Sequence, residues 1–205
     1  MDFSWTDDQQ ALREAVVRFA RNELNVDTAA RDRSAAFPRE LWKRCAEVGI
    51  QGLPVPADLG GSGASPSTIA YVMEGLGEAC ADNGLLFSVG AHMWSAEAPI
   101  IRYGTDEQRS RWLPGLADGT FIGVQAMTEP DTGSDAMALT TSATVTDGGI
   151  VLNGSKTFIT NAAVADVFVV FATVDRAKGW GGVTAFLVAR STPGIEVGPP
   201  LEKMG

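Results

Sequence analysis

Two short stretches carry the residue types most able to do chemistry: "AMTEPDTGSD" at 126–135 and "NGSKTFITNAAVAD" at 153–166. In each, a strand-like run ends in a polar turn that bears threonine. Taken alone, the first is what a strand exit into a tight turn requires. Pro130 fixes φ, Gly133 accepts positive φ, and Ser134 or Asp135 bonds nearby backbone. The second stretch repeats the design, and that changes the reading. Two exposed, threonine-bearing strand ends on one small sheet domain can line a common concave surface, offering hydroxyl and backbone donors to a ligand.

The other candidates point to less. "GLGEAC" (75–80) begins like a dinucleotide fingerprint, but it lies in a helical pattern, follows no strand and has Cys80 where the third glycine belongs. "GGSG" (60–63) has no preceding strand either and reads as a surface loop. His92 sits on a helical segment without a serine or cysteine nucleophile motif nearby, which favours a structural or interdomain role. Cys45 and Cys80 fall in apparent helices, far apart and without a C-x-x-C arrangement, as reduced core thiols do. With His92 the single histidine, no His/Cys metal cluster can be assembled. No metal is expected, and no residue is assigned as catalytic. Glu129 and Glu97 are the internal carboxylates weighed as a base, and neither is placed for it.

The elements that must position the two stretches follow from the pattern of the chain. Its 205 residues are 45% hydrophobic, enough for one large or two small globular domains. A net charge of -9 leaves no basic stripe to neutralise phosphates, so nucleic acid is excluded as a partner. A phosphate-bearing ligand can still be held by backbone N–H groups and a local cation. "MDFSWTDDQQ" has no basic and apolar leader pattern and no apolar run is long enough to span a bilayer, so no membrane partner and a cytoplasmic location are expected.

From residue 6 to about 118 apolar residues recur at helical spacing. Thr6 with Gln9 and Thr105 with Gln108 form capping boxes, a second helix begins near Pro38 and stops at Gly49, and Ser65-Pro66 starts a third. A fourth, weaker pattern runs from Asn83 to Ile101. After residue 119 the period changes. "FIGVQAMT", "LTTSATVT", "IVLNG", "KTFIT", "VADVFVVFATV" and "GVTAFLVA" are short runs rich in Val, Thr, Ile and Phe, separated by turns such as Asp147-Gly148-Gly149. The expected fold class is α+β: an N-terminal helical bundle over 1–118, then a small antiparallel β-barrel or sandwich domain over 119–205.

The paired stretches resemble the acyl-CoA dehydrogenase family, whose middle β-domain carries T-E-P-x-x-G-S-D and G-x-K-x-x-I-T-N motifs about this far apart. "FPRELWKRCAEVGIQGLPVPADLGGSG" and "IIRYGTDEQRSRWLPGLADGTFIGVQAMTEP" are similar to that family's helical domain and its passage into the β-domain. The resemblance implies FAD as cofactor. By position, Gln125, Met127 and Thr128 would contact the isoalloxazine ring, and Ser134 would lie near the flavin phosphates or the pantetheine of the substrate. Phe158 would cover one ring face, with Ile159 and Thr160 lining the N5 side. Donors at the ring's pyrimidine edge suit a group that gains charge there on reduction, and charged side chains are not required.

The implied reaction is α,β-dehydrogenation of an acyl-CoA or acyl-carrier thioester, with hydride passed to the flavin and then to an electron-transfer acceptor. A flavin-dependent monooxygenase or oxidase of the same fold, or a non-catalytic binding subunit, are the alternatives. The sequence ends at "PPLEKMG", where family members continue into a C-terminal helical domain that supplies the catalytic glutamate in most branches. A separate subunit or a removed segment that provides this part is therefore expected, with a homo- or hetero-oligomer that includes such a helical partner.

Overall fold

The computed structural model describes residues 4–202; Lys203–Gly205, the end of "PPLEKMG", lie outside the described residues. The chain divides into two compact units, one ending at Phe121 and the other spanning Ile122–Glu202.

The first unit is helical. Helix α1 (Asp7–Glu23) starts at the Thr6 capping box, α2 spans Thr28–Ser34 and α3 spans Arg39–Glu47. Helix α4 (Pro66–Ala79) is capped by Ser65, and α5 spans Asn83–Ala91. One wider turn of π-helix, His92–Glu97, then leads into α6 (Ala98–Tyr103), and α7 (Asp106–Ala117) begins at the Thr105 capping box. Their apolar faces share a core that includes Trp42, Leu24, Ile50, Ile69, Leu76, Met93, Ile100, Leu113 and Leu116, all fully buried. Short α2 was not foreseen, because its seven residues bury none of their side chains and so carry no apolar stripe.

Both glycine-rich candidates serve packing. A Cβ on Gly75 would sit 2.7 Å from Arg13 Cγ and 3.0 Å from Val17 Cγ2, so the glycine lets α4 approach α1 closely. Gly61 is pressed against the Val55 and Gly52 carbonyls, which folds the 53–66 loop on itself. Cys45 and Cys80 are free and buried, and burial pushes the Cys45 thiol up to about 12.

The π-turn has an identifiable cause. Pro99 has no N–H, and Ala98 N–H reaches back five residues to the Met93 carbonyl. The extra residue brings side chains five apart onto one side. His92 Nε2 lies 3.1 Å from Glu97 Oε1 and 3.2 Å from the Leu116 carbonyl, with the Trp42 ring packed edge-on against the imidazole at 5.0 Å. Both side chains are fully buried, and among the described residues Glu97 Oε2 has no hydrogen-bond partner. Burial pushes the Glu97 carboxyl above its ordinary range, with His92 opposing only part of the shift.

The second unit is a five-stranded sheet: β1 (Gly123–Ala126), β2 (Ser142–Thr146), β3 (Gly149–Asn153), β4 (Val167–Thr173) and β5 (Val183–Ala189). The strand order is β1-β4-β2-β3, and β5 also pairs with β4. Strands β2 and β3 form the hairpin around Asp147-Gly148, with Thr146 opposite Gly149, and β4 and β5 are antiparallel from Val167↔Ala189 to Thr173↔Val183. Strand β1, however, runs parallel to β4 from Gly123↔Val167 to Ala126↔Val170, and β2 joins β4 through a parallel pairing of Ser142 with Thr173.

The α+β class holds, but the expected antiparallel barrel or sandwich is corrected to a mixed sheet that does not close into a barrel. The chain between β1 and β4 is long enough to return a strand in parallel, which a tight hairpin cannot do. "KTFIT" is also not a strand. Phe158 at φ 56° and Asn161 at φ 64° turn the backbone out of the extended region, and no ladder can form through them. Beneath this segment, Val124, Ala165 and Phe168 form a small core joined by Ile159, Ala162, Val170 and Val188.

Candidate functional site

The first polar stretch leaves the end of β1. Gln125 is in the strand, and Met127 and Thr128 continue from it, all half-buried. Glu129 and Thr132 then close a tight turn by reciprocal backbone bonds of 3.1 and 3.2 Å, with Pro130 and Asp131 at its corner. Strand β1 has already ended at Ala126, and Pro130 lacks the N–H that resuming the ladder would need.

Glu129 is the anchor of the stretch. It is only 3% exposed, and its carboxylate accepts from Thr140 N and Oγ1 at 2.6 Å each, from Thr141 N at 2.9 Å and Oγ1 at 2.5 Å, and from Lys156 Nζ at 2.8 Å. Burial alone raises this carboxyl, but the bonds from Lys156, Thr140 and Thr141 outweigh it and hold it well below the usual carboxylate range. A carboxylate held ionised so firmly is a poor proton acceptor, which removes Glu129 as a base. Breaking such a buried pair from one side costs about 3–5 kcal/mol.

Lys156 brings the second stretch to the first. Besides Glu129 it donates to the Met127 carbonyl at 2.9 Å, and Thr157 N–H donates to the Thr128 carbonyl at 2.9 Å. Gly154 makes this approach possible, since a Cβ there would lie 2.7 Å from Thr141 Cα. Two positions after Lys156, Phe158 takes its left-handed conformation and is 70% exposed, while Ile159 and Thr160 fall back to half-buried positions. An aromatic residue at positive φ is an uncommon and costly arrangement of the kind that gathers at binding sites.

The structure thus brings Met127 and Thr128 against the segment that leads to Phe158, Ile159 and Thr160. Gln125 joins them through a 3.8 Å contact from its amide to Met127 Sδ, and Ile159 packs on the core that includes Val124 of β1. Ser134 is exposed beyond the turn, and among the described residues no hydrogen bond ties it to the others. Among the described residues, the N–H groups of Met127 and Thr128 and the hydroxyls of Thr128 and Thr160 likewise have no protein partner, and Thr132 Oγ1 is a buried hydroxyl without one. Unspent donors on half-buried residues, with an exposed aromatic residue on the adjoining segment, are the residue types that suit a flat, polar-edged ligand.

Sequence reasoning missed the support beneath this surface. Lys156 and Glu129 stand in the two motifs but receive no supporting role from the sequence, where Glu129 is weighed as a base, and Thr140 and Thr141 are not singled out. The one available signal was a lysine set between glycine and a β-forming run, a place where a charge needs a partner.

Residues 6–120 match the family model "Acyl-CoA dehydrogenase, N-terminal domain" and residues 124–205 match "Acyl-CoA dehydrogenase, middle domain". The chain belongs to the acyl-CoA dehydrogenase family. It is 37% identical over 205 residues to the short-chain specific acyl-CoA dehydrogenase of Clostridium acetobutylicum, covering 100% of this chain and 54% of that protein. Among solved structures it resembles the prolyl acyl carrier protein oxidase AnaB, with 40% identity and a TM-score of 0.94 over 98% of this chain and 53% of that one. It also resembles PigA with FAD and proline, with 38% identity and a TM-score of 0.94 over 99% of this chain and 53% of that one. The chain spans about half the length of the curated relatives it matches. Among the described residues, no helix is long and apolar enough to cross a membrane.

Proposed function

We propose that this chain is the FAD- and acyl-thioester-binding portion of an acyl-CoA dehydrogenase-type enzyme, with residues 1–118 as its helical domain and 119–205 as its flavin- and thioester-binding domain. The observation that supports the reading is the joined pair of motif segments, whose half-buried residues leave the Met127 and Thr128 N–H groups and the Thr128 and Thr160 hydroxyls unspent among the described residues. That donor set fits the flavin of FAD, which needs neutral donors along one edge and an apolar or aromatic cover on its face. Met127, Thr128 and Gln125 would hold the ring edge, Ile159 and Thr160 would line its reactive side, and Phe158 would cover a face. Ser134, exposed beyond the turn, would meet the phosphates or the pantetheine arm. Bound there, FAD supplies the hydride acceptor for removal of the β-hydrogen of an acyl thioester. The catalytic base is not assigned among these residues. A helical partner or segment would supply it, and an electron acceptor would reoxidise the enzyme.

The likeness to a prolyl acyl carrier protein oxidase supports a second reading, in which the thioester sits on a carrier protein and oxygen takes the electrons. One experiment separates the possibilities. The protein, purified with its native neighbours or in its full-length form, is titrated with FAD and then reduced anaerobically with butyryl-CoA or with prolyl-carrier thioester. Uptake of flavin and bleaching by one substrate identify its class, and oxygen consumption on re-aeration marks the oxidase. A preparation that ignores FAD refutes the proposal.

A further inference from the structure

Among the unspent donors, Thr128 N–H is held in place by a traceable set of contacts. A trans peptide points its C=O and its N–H in opposite directions. Whatever fixes the Met127 carbonyl therefore fixes Thr128 N–H. The group that does so is Lys156 Nζ, 2.9 Å from Met127 O. In the next peptide both ends are occupied, because Thr128 O accepts from Thr157 N at 2.9 Å and Glu129 N donates to Thr132 O at 3.1 Å. In the 127–128 peptide, by contrast, the carbonyl is gripped while the N–H stays open among the described residues.

Lys156 is itself held. Its ammonium donates to Glu129 Oε1 at 2.8 Å, its side chain is 11% exposed and that of Glu129 is 2% exposed. Glu129 in turn is fastened to Thr140 and Thr141, which directly precede β2. Position is thus passed from the start of β2 through Glu129 and Lys156 to the Met127 carbonyl, and across the peptide to Thr128 N–H.

Resting on the reading of this surface as a flavin site, we infer that Lys156 is a positioning residue for the cofactor: it turns Thr128 N–H toward the ligand and strengthens it as a donor. A cation on a carbonyl polarises the peptide, so the N–H at its other end carries more positive charge. That effect is largest on whichever form of the ligand holds more negative charge, so Lys156 favours reduced over oxidised flavin. A lysine that only neutralised a buried carboxylate would leave this preference unchanged.

The test uses the FAD-loaded full-length or assembled protein. Lys156→Met removes the grip but strands Glu129, whereas the double variant Glu129→Gln/Lys156→Met removes both charges together. The expected result for the double variant is a cooperative melting transition, with FAD bound about tenfold more weakly, the loss of roughly one net hydrogen bond. Its preference for reduced flavin should also fall about tenfold, a midpoint potential lower by about 30 mV for a two-electron couple. Unchanged affinity and potential in a folded double variant overturn the inference and leave the flavin reading standing. Loss of cooperative melting in both variants also overturns it, since the pair would then build the fold and not the site. If the unaltered protein takes up no FAD, the flavin reading itself fails and this inference goes with it.

Discussion

Replacing Glu97 with leucine is expected to stabilise the helical unit. The carboxyl is fully buried, one oxygen meets His92 at 3.1 Å, and among the described residues the other has no hydrogen-bond partner. Leucine is close in volume and removes the unsatisfied oxygen, a gain of about 1–3 kcal/mol, while adding apolar burial. Against this stands the lost bond to His92, and the imidazole keeps its 3.2 Å contact to the Leu116 carbonyl. The balance is a net gain of about 1–2 kcal/mol, consistent with the usual outcome when buried ionisable groups give way to apolar ones.

The pH dependence supplies the sharper signature. Glu97 has a folded-state pKa above its unfolded value, so the folded protein holds a proton that the unfolded chain releases. Wild-type stability from this group is therefore full below about pH 4.3, the unfolded value, and is lost as pH rises toward the folded one. Scanning calorimetry of Glu97→Leu and wild type from about pH 4 to about pH 8 should show the variant melting several degrees higher near neutrality. The gap should narrow toward acid. A variant that melts lower at neutral pH, or a gap that stays flat across the series, would show that Glu97 is satisfied where it lies and that the orphaned oxygen costs nothing.

Two further outcomes follow from the second unit. Gly154→Ala places a methyl group 2.7 Å from Thr141 Cα and should destabilise the sheet by about 1–3 kcal/mol in denaturant titration, since backbone has to move. Because that movement drags Lys156, FAD retention should fall in parallel. Phe158→Asn relieves a bulky residue at φ 56° whose ring is 70% exposed, so the sheet should gain about 0.5–1 kcal/mol in denaturant titration. The same variant should hold flavin less tightly in an equilibrium dialysis against FAD; if it binds FAD as well as wild type, Phe158 does not cover the ring.

How far the sequence alone reached depended on whether the deciding contact was local. Thr6 with Gln9, Thr105 with Gln108, and the turn at Asp147-Gly148-Gly149 are decided within four residues; both boxes were read correctly, and the turn was read one residue long, since Gly149 opens β3. The parallel pairing of β1 with β4 depends on partners far apart in the chain, and alternation within each strand says nothing about its direction. The π-turn was hidden for a similar reason, since a single extra residue barely disturbs a helical pattern of hydrophobic positions. At the site, the threonines stood out because their type and spacing repeat. Their support did not, because Lys156 and Glu129 acquire meaning only when the two stretches touch.

The parallel register of β1 on β4 also bears on the order of assembly. Hairpins β2–β3 and β4–β5 join neighbouring segments, whereas Gly123 meets Val167 only after the whole β2–β3 excursion has been gathered in. Chain entropy charges more for such distant closures, so they come late. The strand that leads into Met127 and Thr128 is therefore expected to dock late, after the two hairpins have formed.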